Sequence, residues 1–443
     1  MPAHLALAPP APMPAHQFLL FLLQVGLLLA TAFLLGRLAI RIGLPAIVGE
    51  LCAGVLWGPS ILESLLPTVS HWLLPNTPEQ FHLLDAVGQV GVLLLIGITG
   101  MHMDLGLIRR RGLTAARISI AGIAVPLGFG IGIGLLLPTS LMATDDRGTF
   151  ALFLGVAMGV SAIPVIAKTL MELRLLHRNI GQLTLSAVMV DDILGWILLS
   201  VVSAMATTGV RGADLTMSLV YLVVVLLSAR LIRPLVRRLL QRVDRNPDRG
   251  PTIAVVCFLV LLAAAATHAT GLEAVLGAFV IGIVISSTGA LKPARLAPLQ
   301  TTVTSVLAPL FFATAGLRMD LTGLADPQVL LAAVIVLAVA ITGKFAGAYL
   351  GARLSRLSHW EGLSLGAAMN ARGVIEVIIA MVGLRLGVLT TEMYTIIILV
   401  AIVTSLMAPP LLTRFIARVE QTAEEQLRQD MFDAEDPERR PSV

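Results

Sequence analysis

The chain has 443 residues, of which 57% are hydrophobic and only 13% are charged, about half the charged fraction of ordinary soluble domains. Its two cysteines, Cys52 and Cys257, lie in apolar runs and cannot build a disulfide framework or a thiolate metal site. The net charge of +4 could indicate an anionic partner such as nucleic acid, but membrane proteins use basic residues to fix their orientation. Composition therefore predicts an all-α polytopic membrane protein with no nucleic-acid partner.

Thirteen apolar segments are each long enough to cross about 30 Å of hydrocarbon. They lie at residues 18–36, 45–62, 86–103, 115–137, 150–171, 182–204, 216–232, 252–270, 273–290, 299–316, 328–350, 361–383 and 392–413. Alternate loops divide the basic residues unevenly, with 24 of the 31 Lys and Arg residues on one side. The positive-inside rule then places the amino terminus outside and the carboxyl terminus in the cytoplasm.

The segments outside these spans are short. Residues 1–17 are rich in Pro and Ala and predict a disordered extracellular tail, and residues 414–443 predict a charged, solvated cytoplasmic tail. The most basic stretch, residues 230–250, either contacts anionic lipid or simply links two halves of the protein in the cytoplasm. The linker interpretation is favoured. The transmembrane domain is expected at residues 18–413.

An internal repeat is visible in three matches that occur in the same order. "GLPAIVGELCAG" (43–54) returns as "GLEAVLGAFVIG" (271–282), and "LLLIGITGMHMDL" (93–105) returns as "LFFATAGLRMDL" (310–321). The third match pairs "LGVAMGVSAIPVIA" (154–167) with "LGAAMNARGVIEVI" (365–378). The first match joins span 2 to span 9, an odd separation, so the copies enter the membrane from opposite sides. This predicts inverted repeats at 18–204 and 252–413, joined by a linker helix at 216–232, which is typical of secondary transporters.

Both copies of the third match contain residues that interrupt helices. Pro164 removes a helix hydrogen bond in span 5, and "MNARGV" in span 12 supplies Asn370, Arg372 and Gly373. The alignment sets Ser161 against Arg372. We expect discontinuous helices here, with Ser161, Pro164, Asn370 and Gly373 at the breaks near the membrane midplane.

Two adjacent acids, Asp191 and Asp192, lie in the middle of span 6. A charge at the bilayer centre costs about 2.5–3.5 kcal/mol on insertion scales, so intramembrane acids are functional by default. Neighbouring helical residues diverge by about 100°, and the two acids therefore cannot face one partner. We expect one carboxylate to pair with Lys344 and the other to bind a proton and a monovalent cation in competition.

Arg372 and Glu376 are four residues apart on one helix face. Two interpretations stay open: the pair neutralises itself across the break, or it takes a direct part in ion passage. An intramembrane aspartyl protease is excluded, because a dyad needs acids from different helices. A symporter for an organic anion is disfavoured by acids that repel an anion. Antiport is preferred, with a channel-like potassium efflux system as the alternative, and neither is an enzyme.

The motifs quoted above, with "VDD" (190–192) and in this order, resemble the monovalent cation:proton antiporters, in the branch of Kef-type and sodium/proton exchangers. The resemblance implies a homodimer in the bacterial inner membrane, with a mobile core of spans 4–6 and 11–13. It further implies that Asp192 carries the transported cation and proton, while Asp191 pairs with Lys344. The substrates would be Na⁺ or K⁺ and H⁺, with no cofactor. No GxGxxG stretch follows Pro410, so gating by a dinucleotide within this chain is not expected.

Overall fold

A computed structural model describes residues 13–74, 78–103, 105–208, 212–245, 248–291 and 293–427. Within these ranges the chain is helical and has no β-strand. The first helices are α1 (Ala15–Arg41), α2 (Ala46–Trp57), α3 (Pro67–Leu73), α4 (Pro78–Met101), α5 (Leu105–Leu136), α6 (Arg147–Gly159), α7 (Ile163–Glu172), α8 (Asn179–Thr208) and α9 (Gly212–Asp244). The remainder are α10 (Gly250–Ala269), α11 (Ala274–Ser287), α12 (Pro293–Thr302), α13 (Ala308–Leu317), α14 (Pro327–Leu354), α15 (His359–Met369), α16 (Val374–Arg385) and α17 (Thr391–Ile416).

Each predicted apolar segment overlaps at least one of these helices. In the described part of the chain, nine helical stretches are long and apolar enough to cross a membrane. Two of them, Ala46–Glu63 and Ala294–Leu317, reach this length because the π-helical turns Pro59–Glu63 and Val303–Leu307 extend α2 and join α12 to α13. The count is ten when α15 and α16, bent by 49°, are taken as one span. Two further apolar helices, α6 and α11, have 13 and 14 residues. At about 1.5 Å per residue, neither covers about 30 Å of hydrocarbon alone. The polytopic helical architecture is thus established, and thirteen crossings stay a prediction.

Two local predictions from the sequence were inaccurate, and one helix was not predicted. Helix α9 continues to Asp244, so much of the basic stretch expected in a loop is helical, as its Leu, Arg and Gln residues favour. Helix α1 begins at Ala15, inside the expected tail, of which residues 1–12 lie outside the described residues. The short helix α3 was not anticipated.

Equivalent contacts between helices occur in the two copies and support the internal repeat. A Cβ atom on Gly49 of α2 would collide with the carbonyl oxygen of Leu35 in α1, and one on Gly277 of α11 would collide with that of Ala263 in α10. Gly49 corresponds to Gly277, and Leu35 to Ala263, when the first sequence match is extended. The backbones of α2 and α1, and those of α11 and α10, therefore come close together at equivalent positions in the two copies of the repeat.

A second pair of contacts joins the two copies to each other. A Cβ on Gly316 of α13 would lie 3.0 Å from Cα of Gly54 in α2, and one on Gly282 of α11 would lie 3.1 Å from Cα of Gly100 in α4. The repeat aligns Gly54 with Gly282 and Gly100 with Gly316. Small residues permit such close packing in membrane proteins, and here they let α2 cross α13 as α11 crosses α4.

The start of the carboxyl-terminal tail is packed against the protein. Glu425 is only 2% exposed and accepts a hydrogen bond from the backbone N–H of Asn179, the first residue of α8, at 2.5 Å. Arg178 pairs with the same carboxylate at 3.4 Å. The expectation of a wholly solvated tail was therefore wrong for this stretch, because Glu425 satisfies a free N–H at a helix N-terminus. Residues 428–443 lie outside the described residues.

Candidate functional site

The two interrupted spans meet at their breaks. Helix α6 ends at Gly159 and α7 begins at Ile163, while α15 ends at Met369 and α16 begins at Val374. The backbone N–H of Ala162 donates to the carbonyl of Ala371 at 3.4 Å. Pro164 is the second residue of α7, a position in the first helical turn where its missing N–H is tolerated. The predicted discontinuities are present, and the extended segments between the half-helices lie side by side.

Asp191 is enclosed by donors from two other helices and from the first break. Lys344 of α14 pairs with its Oδ2 at 2.7 Å, Ser161 in the first break donates to the same oxygen at 3.0 Å, and Ser119 of α5 donates to Oδ1 at 2.5 Å. Both members of the ion pair are fully buried. Lys344 also donates to the carbonyl of Gly159 at 2.6 Å, so its ammonium joins the acid to the end of α6.

Asp192 is equally buried, at 0% exposure, but neither of its carboxylate oxygens has a hydrogen-bond partner among the described residues. The rotation of about 100° between neighbours on a helix turns it away from the donors that hold Asp191. Two adjacent carboxylates thus occupy different electrostatic environments. An unpaired buried acid is costly, and it is relieved only by a proton, a cation or water.

Arg372, in the second break, binds the end of α6 from the other repeat. Its guanidinium donates to the carbonyls of Ala157 at 3.0 Å and Met158 at 2.7 Å, carbonyls that no helical N–H can reach. It also pairs with Glu376 at 2.7 Å. This contact matches the interpretation in which the two charges neutralise each other across the break.

The other two residues predicted at the second break have structural contacts. The amide of Asn370 donates to the carbonyls of Ile341 and Gly366, each at 3.3 Å, whereas its Oδ1 has no partner in the described part of the chain. A Cβ on Gly373 would lie 2.6 Å from Cγ2 of Val165. A larger residue at position 373 would therefore require the side chain of Val165 in α7 to shift.

Sequence reasoning missed Ser119, the third donor to Asp191. It lies 72 positions before the acid, and nothing in the apolar sequence of α5 distinguishes it. It also missed a polar face on α8. Trp196, Ser200 and Ser203 are buried, and their indole N–H and hydroxyl groups have no partner among the described residues.

Spacing could have identified this face, because residues 192, 196, 200 and 203 follow the helical period of three and four. Most buried serines and threonines inside helices bond the carbonyl four residues earlier, as Ser186 does on the same helix at 2.8 Å. Ser200 and Ser203 do not. The face that carries Asp192 therefore continues toward the C-terminal end of α8 as a row of unsatisfied polar groups.

Among the described residues, Asp192 is the carboxylate of this site that has no partner on either oxygen. Nowhere in the described ranges do three His, Cys, Asp or Glu side chains cluster so that they could hold one. Crossed broken helices around buried charges are the usual arrangement of ion-coupled secondary transporters. The fold and the site together define that class of protein.

Comparison with known protein families identifies the family within this class of secondary transporters. The family described as "Sodium/hydrogen exchanger, transmembrane" matches residues 28–418, and the chain belongs to it. The membership expected from the order of the sequence motifs is therefore confirmed.

Individual relatives differ in how much of their length they share with this chain. The "Na(+)/H(+) antiporter NhaS4" of Synechocystis sp. is 30% identical over 407 residues, which cover 91% of this chain and 98% of the relative. "Cation/H(+) antiporter 17" of Arabidopsis thaliana is 31% identical over 401 residues, covering 89% of this chain but 48% of the plant protein. The chain thus spans about half the length of the plant relative.

A solved structure confirms the fold. The sodium proton antiporter MjNhaP1 from Methanocaldococcus jannaschii aligns with a TM-score of 0.69 at 16% sequence identity, covering 91% of this chain and 99% of that one. At this identity the likeness establishes the helical architecture and leaves the choice of ion open.

Proposed function

We propose that the protein is a secondary active antiporter that exchanges protons for a monovalent cation, Na⁺ or K⁺, by alternating access. The observation that carries this proposal is the difference between two adjacent buried acids. Asp191 is neutralised by Lys344 at 2.7 Å, while both oxygens of Asp192 lack a partner among the described residues. Asp192 is the carrier, and Asp191 with Lys344 is the ion pair that supports it.

Competition for one carboxylate gives the coupling. A proton and a cation bind the same oxygens of Asp192, so the site holds either one but not both. Alternating access then exposes the loaded site to each side in turn, and a cation taken up on one side leaves as a proton takes its place on the other. The names of the Synechocystis and Arabidopsis relatives, a Na⁺/H⁺ and a cation/H⁺ antiporter, support this chemistry. The transported ions are the substrates, and the proposal includes no cofactor and no enzymatic step.

The direct test is proton flux in proteoliposomes that contain a pH-sensitive dye. Addition of NaCl, KCl or LiCl in turn should release trapped protons with at least one salt. Asp192→Asn keeps the size of the side chain but cannot ionise, so we expect cation-dependent flux to disappear while the protein stays folded. Asp145→Asn, the same change at an exposed loop position, serves as the control and should transport normally.

Two outcomes would refute the assignment. Wild-type flux in Asp192→Asn would move the carrier role to another acid, with Glu376 next in line. Cation flux that only runs down its gradient, and never drives protons uphill, would favour the channel-like potassium efflux alternative.

The proposal also covers the orientation of the protein in the membrane and its assembly. We place the amino terminus outside and the carboxyl terminus in the cytoplasm of a bacterial inner membrane, since the basic residues divide strongly between alternate loops. In a variant without Cys52 and Cys257, Arg237→Cys should resist an impermeant thiol reagent added from outside. We also propose a homodimer with a mobile core of spans 4–6 and 11–13, which light scattering in detergent should detect as twice the monomer mass.

A further inference from the structure

A cavity of about 700 Å³ lies between α9 and α11, and three arginines line it: Arg230, Arg233 and Arg237. Their spacing of three and four residues places them on one face of α9. The volume is in the usual range for a ligand-binding pocket. This cavity is separate from the buried acids, and the transport proposal does not use it.

The cavity is apolar at one end and basic along the rest. Leu226 lines it one turn before Arg230, and Ile283 and Val284 of α11 form the opposite wall. Outside the cavity, α9 exposes Leu227, Leu231 and Leu235, as a helix in contact with lipid does. A ligand reaching this cavity from the bilayer would meet apolar walls near Leu226 and guanidinium groups farther along.

Among the described residues, no acid forms an ion pair with the arginines of this cavity. In the described part of the chain, no ion pair involves Arg230, Arg233 or Arg237, and Arg233 donates only to the carbonyl of Ser287 at the end of α11. The acid closest along the chain, Asp244, is paired with Arg295 at 3.1 Å. Three guanidinium groups without a carboxylate partner attract an anion, and arginine suits phosphate because it binds two oxygens at once.

We infer that this cavity binds an anionic phospholipid, whose phosphate contacts the three arginines while an acyl chain packs against Leu226 and Ile283. Charge asymmetry places this end of α9 on the cytoplasmic side, where anionic headgroups attract basic segments. The inference does not depend on the identity of the transported ion or on the role of Asp192.

Binding can be measured on the purified full-length protein after removal of lipid. Native mass spectrometry would compare phosphatidylglycerol with phosphatidylcholine of the same acyl chains, and inorganic phosphate would form a third arm. We expect phosphatidylglycerol to bind most tightly and to raise thermal stability, with little effect from phosphatidylcholine or phosphate alone.

Variants then locate the site. Each basic residue near an anionic surface contributes roughly a factor of five in affinity, so R230Q/R233Q/R237Q should weaken phosphatidylglycerol binding on the order of 100-fold. R230Q/R237Q keeps the bond from Arg233 to Ser287 and should weaken it about 25-fold. The control, R238Q/R242Q/R245Q, removes the same charge from the next three arginines and should bind almost as the wild type does.

Three results would overturn the inference. Equal loss in both triple variants would mean that binding depends on overall surface charge. Equal binding of phosphatidylcholine would remove the role of headgroup charge. Equal stabilisation by inorganic phosphate would show a simple anion site in which the apolar wall has no part.

Discussion

Buried polar groups have hydrogen-bond partners on one face of α8 and lack them on another. On the face of Asp191, three side chains from elsewhere in the fold saturate the carboxylate. On the face of Asp192, the acid and the polar groups of Trp196, Ser200 and Ser203 have no partner among the described residues. A paired polar group in low dielectric stabilises the fold, whereas an unpaired one carries its full desolvation cost. The first face holds the helix in place, and under the proposed function the second face keeps a site available to ions.

The largest effect on stability is expected from Asp191→Asn. This change strands Lys344 as an unpaired buried cation, which costs about 3–5 kcal/mol when one member of a buried pair is removed. Thermal unfolding in detergent should show a marked loss. Adding Lys344→Gln should recover part of it, as two members of one pair would. If the double variant is no more stable than Asp191→Asn alone, the pair does not stabilise the fold as the geometry indicates.

A smaller effect is expected from Ser119→Ala, which removes the donor to Oδ1 of Asp191. Hydrogen bonds to charged groups contribute about 1.5–3 kcal/mol, so thermal stability should fall by less than in Asp191→Asn. Ser200→Ala should be measured in parallel. If Ser119→Ala lowers stability no more than Ser200→Ala does, the two faces of α8 do not differ in hydrogen bonding.

On the other face, Ser200→Ala and Ser203→Ala should leave stability unchanged or raise it slightly, because each removes an unpaired buried hydroxyl. Ser186→Ala makes the same change on the same helix where the hydroxyl is bonded to Gln182, and should cost about 1 kcal/mol. If the three serines behaved alike in thermal unfolding, Ser200 and Ser203 would have partners after all.

The last effect concerns Glu425, an acid of the carboxyl-terminal tail that accepts a hydrogen bond from the first residue of α8. Burial by itself raises the pKa of Glu425, but hydrogen bonds from the backbone N–H groups of Thr422 and Asn179, with the charge of Arg178, hold the pKa below its usual value of 4.5. Because the folded-state pKa is lowered, this contribution is present above pH 4.5 and is lost as pH falls through the lowered value.

Glu425→Gln should therefore remove a small part of the stability at neutral pH and flatten its decline below pH 4.5, with a shift of at most about 2 °C in the unfolding midpoint. Glu420→Gln, at an exposed position nearby, is the matched control. Identical acid profiles for wild type and Glu425→Gln would show that the tail contact does not contribute.

Much of the architecture could be predicted because the bilayer imposes simple rules. Apolar runs gave the helical segments, and Pro164 with the "MNARG" stretch (369–373) gave the two breaks, since local chemistry decides where a helix stops. The pairing of Lys344 was harder. Residues alone left Asp191 and Asp192 equal, and the family resemblance favoured Asp191. The packing of α8 against α14 shows that Asp191 faces the lysine. Ser119 and Glu425 were beyond prediction because each approaches its partner from a distant part of the chain.

The glycine crossings between the two copies have a mechanical consequence. At Gly54 with Gly316, and at Gly100 with Gly282, the backbones of the paired helices are in contact, so neither helix can rotate or slide against its partner without a collision. Gly88 of α4 also lies against Phe311 of α13, which ties the two crossings together. Helices α2, α4, α11 and α13 therefore form one closely packed layer. We expect large displacements to occur between this layer and the helices around it, and not within it.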